Sequence, residues 1–213
     1  MDKTRHIVIE GPIGVGKTSL THMLAKRYNA RSIVEEVEEN PFLSDFYHNP
    51  RKYAFQAQLF FLLSRHKQQK ELAQPDLFQS STVCDYLFAK DRIYAHLNLD
   101  ENELALYEKI YGLLAPSAIK PDLVVYLVAN PKVLMKRIRK RSREFERKIT
   151  PEYLEELVQA YNRFFFNYEQ SPLLVVNTSE IDFVKREEDF EALVQEIGTH
   201  TRGVKHFIPL GSQ

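Results

Sequence analysis

The chain of 213 residues is long enough for one domain with a sizeable core, on a prior of ~100–200 residues per domain. With 29 Lys+Arg against 29 Asp+Glu its formal net charge is zero, which excludes a generally basic, nucleic-acid-coating protein. At 44% hydrophobic and 27% charged residues, global disorder is excluded as well.

Cys84 is the single cysteine, so no internal disulfide or cysteine-based zinc site forms and a reducing, cytoplasmic setting is expected. The apolar-rich run behind residues 1–6 is four residues long, too short for a signal-peptide core. No run reaches the ~18 apolar residues of a membrane span. Neither a membrane nor a nucleic-acid polymer is expected as a partner.

Taken in chain order, residues 5–10 read as a buried strand, followed at once by Gly11, Gly14 and Gly16, three of only seven glycines. Residues 18–28 read as a helix with Leu20, Met23 and Leu24 on one side. A short strand over 32–35, a helical turn over 41–47 and a long helix over 52–72 follow. The long helix carries Phe55, Leu59, Leu62 and His66 at helical spacing. Residues 81–85 form a third strand, with helical segments around 86–95 and 101–115. Residues 122–128 form a fourth strand without polar alternation, as a strand covered on both faces requires. Asn130-Pro131 and Thr150-Pro151 are helix starts, each an N-cap followed by proline. The second of these helices carries Leu154, Leu157, Tyr161, Phe165 and Tyr168 on one stripe. A fifth strand at 173–177 and a helix over 186–198 complete the alternation. The prediction is one domain spanning 1–213, an α/β fold with a five-stranded parallel sheet and helices on both faces. The tail 199–213 has no clear period and is expected to be partly disordered.

Gly11-Pro12-Ile13-Gly14-Val15-Gly16-Lys17-Thr18 matches G-x-x-x-x-G-K-[ST] between a strand and a helix, with Ser19 next. The glycines let backbone N–H groups turn inward around phosphate oxygens, and the helix start adds its positive dipole end. Lys17 supplies a point charge to the phosphates, and Thr18 a hydroxyl ligand for Mg²⁺. Ligands of parallel sheets bind at the carboxyl ends of the strands. There the second strand ends at Glu35 and the third at Asp85, one suited to approach Mg²⁺ and the other to accept a hydroxyl proton. Between 132 and 148 nine Lys/Arg stand against two Glu, so this neutral chain concentrates a charge of +7 in 17 residues. Arg137 and Arg141 share a helix face there, with Arg143 just beyond. Such a basic lid, about 137–148, suits the charge on a transferring phosphoryl group. No Asn-Lys-x-Asp guanine motif follows the fourth strand. The residues alone leave open a nucleoside monophosphate kinase of thymidylate-kinase type and a non-catalytic ATP-binding regulatory subunit.

Over about residues 7–197 the chain resembles the deoxyribonucleoside kinases, and among them the bacterial deoxyguanosine/deoxyadenosine kinases. The resemblance rests on Ile9 to Thr18, Glu35-Glu36-Val37-Glu38, Asn40-Pro41-Phe42, and the lid pattern Arg137, Arg141, Arg143 followed by Glu146. It implies transfer of the ATP γ-phosphoryl group to a deoxyribonucleoside 5′-hydroxyl, with Glu35 as base, Mg²⁺ as cofactor, and a homodimer. It also implies that Tyr47 and Glu146 contact the sugar, that Gln56 with Asp91 reads the base, and that Asp182-Phe183 hold the adenine of ATP. Where animal relatives carry Glu-Arg-Ser, this chain has Asp85-Tyr86-Leu87, which removes a cation. Lys90, one helical turn beyond Tyr86, either restores that charge or is a surface lysine. A purine deoxynucleoside is the expected substrate.

Overall fold

The computed structural model describes residues 5–74 and 81–209. Six strands form one parallel sheet in the order β2-β3-β1-β4-β5-β6. They are β1 His6–Glu10, β2 Arg31–Ile33, β3 Thr82–Cys84, β4 Leu123–Val128, β5 Leu173–Asn177 and β6 Val204–Phe207. Residues 123–127 of β4 are all buried, so the centre of the sheet is covered on both faces. The connection from β1 runs toward one edge and those after β3 toward the other. This reversal puts a crevice at the carboxyl ends of β1 and β3.

Helix α1, Lys17–Tyr28, starts directly from the glycine-rich loop. Gly11 and Gly16 have φ of +149° and +106°, and a Cβ on Gly16 would stand 2.9 Å from the Phe183 ring. Only glycine suits these two turns, sterically and in backbone angle. The short α2, Leu43–His48, leads into α3, Pro50–Leu72, which packs on α2, on α4 (Asp91–Asn98) and on α5 (Glu101–Leu114). Helices α6, Pro131–Arg141, and α7, Pro151–Phe166, flank the lid, and α8 spans Glu187–Thr199. The two predicted caps form: the Asn130 carbonyl accepts from Lys132 N at 2.9 Å and the Thr150 hydroxyl from Tyr153 N at 3.2 Å. Ser142, in the left-handed region at φ 55°, ends α6 and turns the chain into the 3₁₀ turn Glu144–Lys148.

Two expectations change. The sheet has six strands, not five, because Val204–Phe207 of the tail pairs with β5 through Leu173↔Val204 to Val176↔Phe207. Three of its four residues are exposed, so backbone pairing holds it and no apolar period marks it in the sequence. Residues 210–213 of that tail, like 1–4, lie outside the described residues. The second strand ends at Ile33, so Glu35 stands in the loop beyond it. Among the described residues no helix is long and apolar enough to cross a membrane.

Candidate active site

At the crevice, a cavity of about 240 Å³ opens over the glycine-rich loop. Lys17 lines it and donates to the carbonyls of Gly11, at 2.7 Å, and Pro12, at 3.3 Å. Burial pulls its ammonium down to about 8, and the nearby Lys90 charge adds to that shift. Thr18 Oγ1 donates to Asp85 Oδ2 at 2.6 Å, joining the start of α1 to the end of β3. A hydroxyl and a carboxylate so placed at a phosphate loop suit a hard, oxygen-seeking cation such as Mg²⁺.

Glu35 lies opposite. Its backbone N–H donates to Asp85 Oδ1 at 2.8 Å. Its carboxylate accepts from Arg65 Nε at 2.8 Å, from Arg65 Nη2, and from Lys90 Nζ at 3.0 Å. Burial would raise this carboxyl, but Arg65 and Lys90 outweigh it and hold it at about 2. Lys90 is 2% exposed, so it is a buried partner of Glu35 and not a surface lysine. Arg65 also pairs with Asp91, which accepts from the Tyr107 hydroxyl at 2.7 Å.

The far wall comes from α2 and α3: Phe46, Tyr47, Ala57, Gln58 and Phe61. The Arg65 guanidinium lies 5.1 Å from the Phe61 ring. Tyr94, Asn98 and Tyr153 close the end toward α4 and α7. From the lid come Arg141, Arg143, Phe145 and Glu146. Arg141 is ion-paired with the buried Glu146, and Phe145 stacks on Tyr47 at 6.4 Å between ring centres. Arg143 Nε lies 3.6 Å from Glu38, a mostly exposed contact of little energetic weight.

Several predicted residues stand elsewhere. Gln56 is on the exposed side of α3, whereas Gln58 is buried and lines the cavity. A helix turns by roughly 100° per residue, so two positions reverse the direction of a side chain. The amide on the cavity wall is therefore Gln58, whose Nε2 donates to the Asp91 carbonyl at 2.9 Å. Asp91 lies behind Arg65, outside the lining, so it acts on the cavity through that guanidinium. Tyr86 is buried away from the cavity, its hydroxyl accepting from Gln69 Nε2 at 3.4 Å. Arg137 is also outside the cavity: it donates to the carbonyls of Thr178 (2.8 Å), Ile181 (3.3 Å) and Val15 (3.4 Å). It ties the lid helix to the loop after β5. Phe183 packs under Gly16, and Asp182 is half-exposed beside Lys185.

Arg65 and Gln58 were missed by sequence reasoning. Their signal is present: polar residues at 58, 65 and 69 recur on the same face of α3 as the buried Ala54, Ala57 and Leu62. Polar side chains repeating within a buried stripe need partners, and here those partners are the site.

The model of the deoxynucleoside kinase family matches residues 7–202. This chain belongs to the deoxynucleoside kinase family. The deoxyguanosine kinase of Bacillus subtilis is 37% identical, over 92% of this chain and 98% of its own. The deoxyadenosine kinase of Dictyostelium discoideum is 36% identical, over 82% and 73% respectively. A solved deoxyadenosine kinase of M. mycoides, with the products dCMP and a flexible dCDP bound, superposes with a TM-score of 0.80 at 27% identity, over 91% of this chain and 99% of that one. The chain is thus a deoxynucleoside kinase, and the monophosphate-kinase and regulatory-subunit readings are set aside.

The position of Gln58 in this kinase generates a direct comparison. Gln58→Ala removes an amide from the cavity wall, and kcat/KM for the deoxynucleoside should fall about tenfold or more, the scale of a lost buried hydrogen-bond partner. Gln56→Ala should stay within about twofold of wild type, as an exposed substitution does. Steady-state kinetics on both variants measures the difference, and the reverse ranking would return base reading to Gln56.

Proposed function

We propose that this kinase transfers the γ-phosphoryl group of ATP to the 5′-hydroxyl of a purine deoxynucleoside, giving the 5′-monophosphate and ADP in nucleotide salvage. The observation that carries this reading is the Glu35 carboxylate, held by Arg65 and Lys90 in the same cavity as Lys17 and Thr18.

The loop 11–19, through its backbone N–H groups beyond Pro12, and Lys17 bind the ATP phosphates, Thr18 with Asp85 would hold Mg²⁺, and Asp182-Phe183 border the adenine. Mg²⁺ there would supply positive charge to neutralise the phosphates. Glu35 orients the 5′-hydroxyl. A carboxyl held at about 2 is too weak a base to ionise an alcohol beforehand. The hydroxyl proton therefore passes to Glu35 as the new O–P bond forms and the bond from the γ-phosphorus to the bridging oxygen breaks, releasing ADP. Lys90 replaces the arginine missing after Asp85 and keeps Glu35 ionised and oriented. Arg141 and Arg143 stabilise the equatorial oxygens. Tyr47 and Glu146 hold the sugar 3′-hydroxyl. Glu35→Gln keeps the shape and loses the proton acceptor, so turnover should fall by roughly 10²–10⁴ while nucleoside affinity changes far less. Wild-type-like turnover would move the base elsewhere.

Two observations support a purine. Gln58 donates one N–H to the Asp91 carbonyl at 2.9 Å and keeps a second N–H and its carbonyl oxygen on the cavity wall, which suits an adenine edge. The B. subtilis and D. discoideum relatives are named for purine deoxynucleosides. Across the four deoxynucleosides, deoxyadenosine and deoxyguanosine should show the highest kcat/KM, with deoxycytidine next, consistent with dCMP as a product of the M. mycoides relative. A clear preference for thymidine would overturn the assignment.

The kinase is further proposed to be a cytoplasmic homodimer. The single buried, free Cys84 supports a reducing setting. Phe166 at the end of α7 is 89% exposed, and Ile93, Leu97, Ala160 and Phe164 line, together with Arg92, His96 and Arg163, a groove between α4 and α7 that a second copy would cover. Sedimentation at micromolar concentration should give twice the chain mass, and a monomer would reject the seam.

A further inference from the structure

Glu10, the last residue of β1, is a fully buried carboxylate that the phosphoryl-transfer chemistry leaves without a role. Its Oε1 accepts from Gly11 N at 2.9 Å and from the Tyr161 hydroxyl at 3.2 Å. Its Oε2 accepts from Leu87 N at 2.8 Å. The three donors belong to three different segments around the site. Gly11 opens the phosphate loop that ends in Lys17 and Thr18. Leu87 lies between Asp85 and Lys90. Tyr161 is on α7, two turns beyond the cavity-lining Tyr153.

The preceding Ile7, Val8 and Ile9 are buried and apolar, and an apolar residue at position 10 would serve packing equally well. A carboxylate there is a costly choice unless its acceptors are used, and here both oxygens are. Two of the bonds run to backbone N–H groups, which have no rotamer freedom. They therefore fix main chain to main chain across the crevice between β1 and β3.

We propose that Glu10 is a positioning residue for phosphoryl transfer: by binding the Gly11 and Leu87 N–H groups with its two oxygens, it sets the spacing between the Lys17 phosphate loop and the Asp85–Lys90 segment. Lys17 and Lys90 approach the reacting group from these two segments, so an error in their spacing falls on the transition state more than on nucleoside binding.

Glu10→Gln tests this with little change of shape. An amide has one accepting oxygen, and its NH₂ would face one of the two backbone donors. Turnover is measured as deoxynucleoside-dependent ADP formation per site titrated with ATP, so lost folding lowers the number of sites and not the rate per site. The variant should lose about 10- to 10²-fold in kcat per site, with the nucleoside KM within about threefold. Tyr161→Phe keeps both backbone bonds and should stay within about threefold of wild-type kcat. Wild-type kcat per site in Glu10→Gln would reduce Glu10 to a fold element and overturn the proposal.

If Glu10→Gln fails to fold, Glu10→Asp is read the same way, since its shorter arm keeps the charge but cannot span both donors. Hydrogen exchange on the wild-type protein stands independently of either variant: the Leu87 amide should be protected to the level of the core strands. Fast exchange there would remove the link. The inference rests on the proposed chemistry only for the reaction counted. A wild-type protein that phosphorylates no deoxynucleoside would overturn that chemistry, whereas the ratio of variant to wild type concerns Glu10 alone.

Discussion

One buried guanidinium organises the site. Arg65 sits between the carboxylates of Glu35 and Asp91, and Lys90 completes the group as a second cation on Glu35. Two cations and two anions share a pocket that water hardly reaches, so the desolvation penalty of each is offset only while all are in place. Removing one partner from such a cluster costs about 3–5 kcal/mol, mostly by leaving an uncompensated charge behind. The same arrangement links two tasks. Against the opposing effect of burial, Arg65 with Lys90 holds the Glu35 carboxyl well below the usual range, and beside Gln58 and Phe61 Arg65 is part of the cavity wall. One cation thereby ties two ends of the cavity into a common frame.

The sheet supplies the coordinates of that frame. Strands β1 and β3 run side by side in the register Val8↔Cys84, which brings Asp85 out at the start of the phosphate loop, and the Thr18–Asp85 hydrogen bond closes the crevice at the helix start. Chain reversal around Gly16 is tight enough that Phe183 touches its Cα face, so the loop is braced from below as well as lined from above. Arg137 adds a second brace, tying α6 to backbone carbonyls of the loop after β5. The lid helix anchored in this way places Arg141 and, just beyond it, Arg143 at the cavity.

Charge concentration in the lid is selective. Of the nine cations between 132 and 148, Arg141 and Arg143 line the cavity, while Lys132, Lys136, Arg139, Lys140, Arg147 and Lys148 are exposed. The exposed ones contribute to the field around the mouth of the site, which is screened within about 8–10 Å at moderate salt. The two that line the cavity act at contact distance, where screening is weak. The Glu146 pairing of Arg141 holds one of them in a defined position.

The alternation of strands and helices, the phosphate loop, the caps at Asn130 and Thr150, and the carboxylates Glu35 and Asp85 past the second and third strands are legible in the sequence alone, although Glu35 stands in the loop and not at the strand end. These are local: each depends on residues within one or two turns of one another, on glycine geometry or on an apolar period. Tertiary structure alone decided which side chains meet. Gln58 rather than Gln56 faces the cavity because the rotation of α3 about its axis is set by packing against α2, α4 and α5, and a pair of letters does not encode it. Arg65 lies thirty residues from Glu35, and Asp91 twenty-six beyond Arg65. Their ion pairs arise only when α3 is laid across the strand ends. Asp91 was read as a group facing the base, yet it faces the guanidinium that lies in front of it. The edge strand β6 was invisible for the opposite reason: backbone hydrogen bonds hold it in place, and hydrogen bonding between backbones leaves little trace in side-chain periodicity.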